Sequence, residues 1–357
     1  MELVAPRFGV WVPVHGNWGP TDYSKEKHDA SFARAKRIVL EAESLGFTTT
    51  LVAQHTINPL GQEFDELETW TACAALAALT ERIEIIAAIK PYLYHPAVLA
   101  KMALGIEEIS HGRFAINFVN AWYKPELEKS GIGFAEHDQR YEYGGEWLQI
   151  VKRLLEGERV TFSGANFHLN DYSLKPVSRW RERPFIYAGG ESVPARNLAS
   201  ELADAWFING QPLFEVEALI ADIRWRRRSN RRPLRVGLSA FVIARERDIE
   251  AREVLDWFWE EKKKEDWSHL YANVDPKAQM FKTAEKYPHI GTNGGTSAGL
   301  VGSYDTVAER IREFQAIGID TFMLQFQPFL EEQKRFAAEV MPRVYARSSP
   351  ELSRGHG

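Results

Sequence analysis

Eight short runs of nearly unbroken apolar residues, separated by longer amphipathic stretches, restrict what this chain can fold into. The runs cover residues 8–14, 48–53, 83–89, 114–120, 185–188, 205–209, 236–244 and 321–326. A strand with one wet face alternates polar and apolar residues. Runs such as IEIIAAI do not, so their strands must be covered on both faces. Between them lie helical patterns. Ala35, Ile38, Val39, Ala42 and Leu45 follow Phe32 at three- and four-residue steps, and Gly46 supplies a left-handed stop. Pro96 suits a first helical turn, and 140–155, 194–202, 215–228, 305–317 and 331–340 read as further helices.

Strands alternating with helices form right-handed parallel βαβ units. Eight such units close into a (β/α)8 TIM barrel, whereas a doubly wound open sheet more often has about six strands. The expected fold is one α/β barrel domain over 1–357 with insertions after strands 4 and 7. The first, 159–176, reads as a hairpin or irregular excursion. The second, 262–301, has few apolar repeats and contains NGGTSAG. Barrel active sites lie in the loops after the strands, so 262–301 is expected to be a mobile lid.

Composition removes several function classes. Apolar residues are 45% and charged residues 26%, as in ordinary globular proteins, and the net charge of −5 offers no field for nucleic acid or an anionic membrane. One cysteine, Cys73 in an apolar helix, rules out a disulfide framework and a cysteine zinc cluster. The start lacks the pattern of a signal peptide, and no apolar stretch is long enough to span a bilayer. A cytoplasmic protein is expected.

Polar and aromatic residues gather where the strands end: His15, Asn17 and Trp18 after the first; Gln54 and His55 after the second; Tyr92, Tyr94 and His95 after the third; Asn117, Asn120, Trp122 and Glu126 after the fourth. No metal-ligand spacing and no GxSxG elbow accompanies them, so no metal site is expected. Amides and rings without a nucleophile suit a planar cofactor that carries the chemistry itself. In YAGGES, Gly189 and Gly190 let the backbone approach an anion, and Ser192 leads into a helix start. The same segment also reads as a plain βα turn. Arg140 and Tyr141 could clamp a phosphate, or be a solvated arginine beside a core tyrosine. His28, His111 and His289 read as surface or turn residues.

The stretches LVAQH, TERIEIIAAI, ISHGRFAINFVNAWYKPE, EHDQRYEYGGEWL, FIYAGGESVPAR, SAFVIARE and GLVGSYDTVAERI together resemble the bacterial luciferase-like flavin monooxygenases. Within that family the chain is most similar to the two-component dimethylsulfone monooxygenases. The resemblance implies reduced FMN and dioxygen as cosubstrates, a separate NAD(P)H-dependent flavin reductase as partner, and a homodimer or homotetramer. It implies that Ala53, Gln54, Asn117 and Glu126 meet the flavin, and that Arg140, Tyr141, Gly189, Gly190 and Ser192 surround its phosphate. Asn117, Trp122 and His15 are expected to act in catalysis. The family's alkanesulfonate monooxygenases are expected to carry an arginine and a histidine where this chain has Ser239 and Phe241. That loss argues for a neutral substrate such as a dialkyl sulfone, cleaved at carbon–sulfur to a sulfinate and an aldehyde. Other readings are a ring-opening or alkanesulfonate monooxygenase, a deazaflavin-dependent oxidoreductase, and a flavin-binding protein without turnover.

Overall fold

The structure, a computed structural model, describes residues 5–20, 23, 25–227 and 232–346. Eight strands form its centre: β1 (Arg7–Val12), β2 (Thr49–Val52), β3 (Glu84–Ile89), β4 (Phe114–Phe118), β5 (Phe185–Gly189), β6 (Ala205–Ile208), β7 (Arg235–Phe241) and β8 (Thr321–Gln325). Each pairs in parallel with its neighbours in chain order, and β8 closes on β1 with Phe8 beside Phe322 and Val10 beside Leu324. The continuous apolar runs follow from this closure. One face of each strand fills the barrel and the other packs under helices, so Ile85, Ile86, Ala87 and Ile89 are all buried.

The helices obey their caps. Ser31 accepts a hydrogen bond from the Arg34 amide at the start of Phe32–Ser44, and His95 caps Pro96–Ile109. Cys73 is buried in Thr69–Leu79, where burial pushes its thiol pKa up. The helix expected at 140–155 begins earlier, at His137, so Arg140 and Tyr141 are its fourth and fifth residues. The helix expected at 215–228 runs Leu213–Arg226, and Arg228 lies outside the described residues.

Three further segments take shape as follows. The run 236–244 is two elements: after β7 the Val242 amide bonds to Gln325 O, and Ile243–Arg245 leaves the barrel to pair with Val301–Ser303. The segment 159–176 contains an antiparallel pair, Val160–Ser163 with His168–Tyr172. The insertion 262–301 contains the helices Ser268–Asn273 and Gln279–Lys286. Three of its glycines, Gly291, Gly294 and Gly295, sit where a Cβ would clash. Gly294 has φ +82, and a Cβ there would lie 1.9 Å from Gly210 O, so only glycine lets this corner press against the end of β6. His289 is buried, not a surface residue, and burial lowers its pKa to about 4. Among the described residues no helix is long and apolar enough to cross a membrane.

Candidate active site

The carboxyl ends of the strands and the insertion enclose a cavity with about 1160 Å³ of empty space, its open mouth included. Three distinct regions line it.

The first is an anion corner. β5 ends at Gly189, and Gly190 follows at φ +115 with its carbonyl held by Trp206 Nε1 at 2.8 Å. A Cβ on Gly190 would sit 3.1 Å from Ala195 Cβ and 3.4 Å from the Tyr141 hydroxyl, so a side chain would fill the corner. Ser192 caps Val193–Leu202 by accepting from the Ala195 amide. Free amides and the helix dipole at such a start favour negative charge. The Tyr141 hydroxyl lies beside Ser192 and Asn120, and burial raises its pKa.

The second region is a floor of unsatisfied amides. Asn117 stands on β4 between Ala88 of β3 and Tyr187 of β5. Its Oδ1 is buried with no donor, and the Asn120 amide has only the Tyr141 hydroxyl beside it. Such a vacancy costs about 1–3 kcal/mol per group, a cost that a bound ligand removes. Gln54 accepts from the Lys90 amide at 2.7 Å, which leaves its own amide hydrogens for the cavity.

The third is a charged cluster behind an aromatic wall. His15 Nδ1 is held by Glu66, and the His15 and His55 rings lie 5.2 Å apart. His55 Nδ1 meets Lys90 Nζ at 2.8 Å, and Lys90 is ion-paired to Glu126. Burial, then Lys90 and His15, push the His55 pKa well below its ordinary value, so the ring is neutral and accepts from Lys90. Burial raises the Glu66 pKa. Trp11, Trp18 and Trp122 line the cavity, and Trp122 stacks edgewise on His55 at 5.2 Å.

Ala53, Gln54, Asn117, Tyr141, Gly189, Gly190 and Ser192 therefore share one cavity, together with His15 and Trp122. Glu126 and Arg140 are not among its lining residues. The Glu126 carboxylate is occupied by Lys90 and by the Thr56 amide at 2.6 Å. Arg140 is paired with Asp275 of the insertion, donates from Nη1 to Ala135 O at 2.6 Å, and lies 4.1 Å from the Phe134 ring centre. Ser239 lines the cavity, whereas Phe241 is buried against Phe258.

Sequence reasoning missed Trp11, Lys90, Glu66 and Asp275. Lys90 follows β3 directly, and that strand-end position was its signal. Glu66 and Asp275 carry none, because their partners are 51 and 135 residues away.

The insertion is tied over the cavity. The Asp275 amide bonds to Trp122 O at 2.7 Å, Tyr123 bridges to Val274, and Phe281 packs on Trp122 at 5.3 Å. Gln325 grips Thr292 through its amide and carbonyl at 2.9 Å each.

Among known proteins, the family described as luciferase-like monooxygenase matches residues 6–321. The FMNH2-dependent dimethylsulfone monooxygenase of Pseudomonas putida is 31% identical, covering 95% of each chain. The enzyme of the same description from Pseudomonas fluorescens strain Pf0-1 is 30% identical, covering 96% of each. The crystal structure of DmoA from Hyphomicrobium sulfonivorans superposes with a TM-score of 0.76 at 18% identity, covering 100% of this chain and 91% of that one.

Proposed function

The chain belongs to the luciferase-like monooxygenase family, and from that premise we propose that it oxidises a small neutral organosulfur compound with reduced FMN and dioxygen. A dialkyl sulfone such as dimethylsulfone is the substrate class, in line with the activity named for the two Pseudomonas relatives. The observation that carries this reading is the pairing, in one cavity, of the Gly190–Ser192 anion corner with the donor-less Oδ1 of Asn117. A phosphate fits the corner, and a flavin N–H fits the orphaned amide oxygen.

In this reading Ser192, Tyr141 and the backbone of Gly189 and Gly190 hold the phosphate, while Asn117 and the free amide of Gln54 orient the ring. Ala53, directly after β2, would meet the ring. Arg140 would support the phosphate corner by fixing Asp275, and Glu126 would keep Lys90 neutralised. Reduced FMN supplies the electrons that activate dioxygen. For dimethylsulfone, one dioxygen atom would leave in formaldehyde and the other in water, with methanesulfinate as second product. His15 holds or moves a proton at Nε2, since Glu66 occupies its Nδ1. Trp11, Trp18 and Trp122 exclude water, and the insertion closes over them as a lid. A separate reductase delivers the reduced flavin.

The test supplies reduced FMN, dioxygen and a panel of sulfones, sulfonates and pyrimidines, with reduced deazaflavin in a parallel arm. Sulfinate and aldehyde from a sulfone support the reading. Hydride transfer from deazaflavin without oxygen use would replace it.

A further inference from the structure

Glu191 lies within the anion corner, between Gly190 and Ser192, and is the one acidic residue lining the cavity among the described residues. It is only 5% exposed. The Asn209 amide donates to its Oε1 at 2.6 Å, and Gln211 Nε2 donates to the same oxygen at 3.1 Å. With both bonds on Oε1, Oε2 keeps a proton when the acid is neutral and a lone pair when it is ionised. The geometry points to Glu191 as a specificity-determining residue that favours a neutral, oxygen-bearing substrate over an anionic one. This rests on the flavin monooxygenase reading above.

The surroundings decide the sign. Arg196, on the helix that Glu191 precedes, is ion-paired with Asp222. The end of β6 presents Asn209 and Gln211, β7 presents Ser239, and the insertion presents Thr292 and Asn293. None of these five carries charge. Lys277 of the insertion also lines the cavity, but its side chain is 57% exposed and lies 4.0 Å from Glu136. Lys90 is neutralised by Glu126. Ser239 Oγ accepts from Gln325 Nε2 at 3.0 Å, so its own proton remains to be donated.

A sulfonyl oxygen placed here meets the Ser239 hydroxyl and the protonated acid as donors. A sulfonate placed here loses its hydration against a carboxyl whose one cationic neighbour, Arg196, is already paired with Asp222. Burial holds the Glu191 pKa up at about 7. The opposition to anions therefore grows as pH rises through neutrality.

Glu191→Gln keeps an oxygen for the Asn209 and Gln211 donors and cannot ionise. After FMN binding is established by flavin titration, calorimetry on the FMN-loaded chain compares dimethylsulfone with methanesulfonate at about pH 6 and about pH 8.5. In the wild-type chain the preference for dimethylsulfone should rise about tenfold between the two pH values. In Glu191→Gln the ratio should be flat, with methanesulfonate binding about tenfold tighter than in wild type at the higher pH. A wild-type ratio that does not change with pH overturns the assignment even if the variant fails to fold. So does a folded variant with the wild-type ratio. Failure of the wild-type chain to bind FMN overturns the flavin reading itself, and the assignment with it. Failure of both sulfur ligands to bind a loaded chain overturns the substrate class.

Discussion

Arg140 and Asp275 form a buried ion pair that ties the first turn of His137–Leu155 to the insertion over the cavity. Asp275 also receives its place from Trp122, whose carbonyl accepts the Asp275 amide at 2.7 Å. Asp275 thus joins the helix that carries Tyr141, the aromatic wall and the insertion. Arg140→Ala leaves Asp275 buried without its cation, a loss of about 3–5 kcal/mol for a pair of this kind. Replacing both residues by leucine should recover much of that, because no lone charge remains. Urea unfolding of the single and double variants checks this, and equal destabilisation of both would refute it.

His15 should matter for turnover and not for flavin binding. His15→Asn removes the proton site at Nε2, and general acid–base catalysis of this type contributes about 10²–10⁴-fold. Glu66→Gln should lower turnover less, since the ring loses its anchor and keeps its nitrogen. FMN dissociation constants measured beside kcat separate the two effects. A His15→Asn variant that turns over normally would remove His15 from catalysis.

Substrate charge follows from Ser239 and Phe241, which provide no cation on β7. The specificity constant for dimethylsulfone should exceed that for methanesulfonate by at least about tenfold, or ~1.4 kcal/mol. Steady-state kinetics with both compounds decides it, and a higher value for methanesulfonate reverses the prediction.

For the insertion, the structure separates an anchored corner at Gly294, pressed onto Gly210, from the helices Ser268–Asn273 and Gln279–Lys286. Reduced FMN with substrate should protect those two helices from protease. Replacing 266–273 by a short linker should leave flavin binding within about threefold while lowering the ratio of organic product to hydrogen peroxide, because water reaches the flavin. An unchanged ratio means the helices are not a lid.

Glu191 should also leave a signature in stability. Its pKa in the folded chain is about 7, above the ordinary carboxylate value of 4.5. The folded state keeps a proton that the unfolded chain has already released in that interval. The stabilisation from this group is full below the ordinary carboxylate range and is lost as pH rises to about 7, by roughly 3 kcal/mol. Glu191→Gln has no such loss, so its stability relative to wild type should rise across that window. Denaturant titrations at several pH values measure the difference, and parallel curves would contradict it.

The barrel and its order of strands were legible in the sequence, because continuous apolar runs have only one use in a chain of βαβ units: burial on both faces. Strand ends fix which residues reach the mouth, so Gln54, Asn117 and the Gly189–Ser192 corner were legible with them. The partners were not. Neighbouring residues alone cannot reveal that Arg140 meets Asp275, or that Glu126 meets Lys90, which follows β3. The glycines of 291–299 read as freedom for a loop, since composition cannot tell a glycine needed for motion from one needed for close approach. Local periodicity sets what each segment becomes. The charge state and direction of a buried side chain depend on which distant group lies against it, and only the closed barrel brings those groups together.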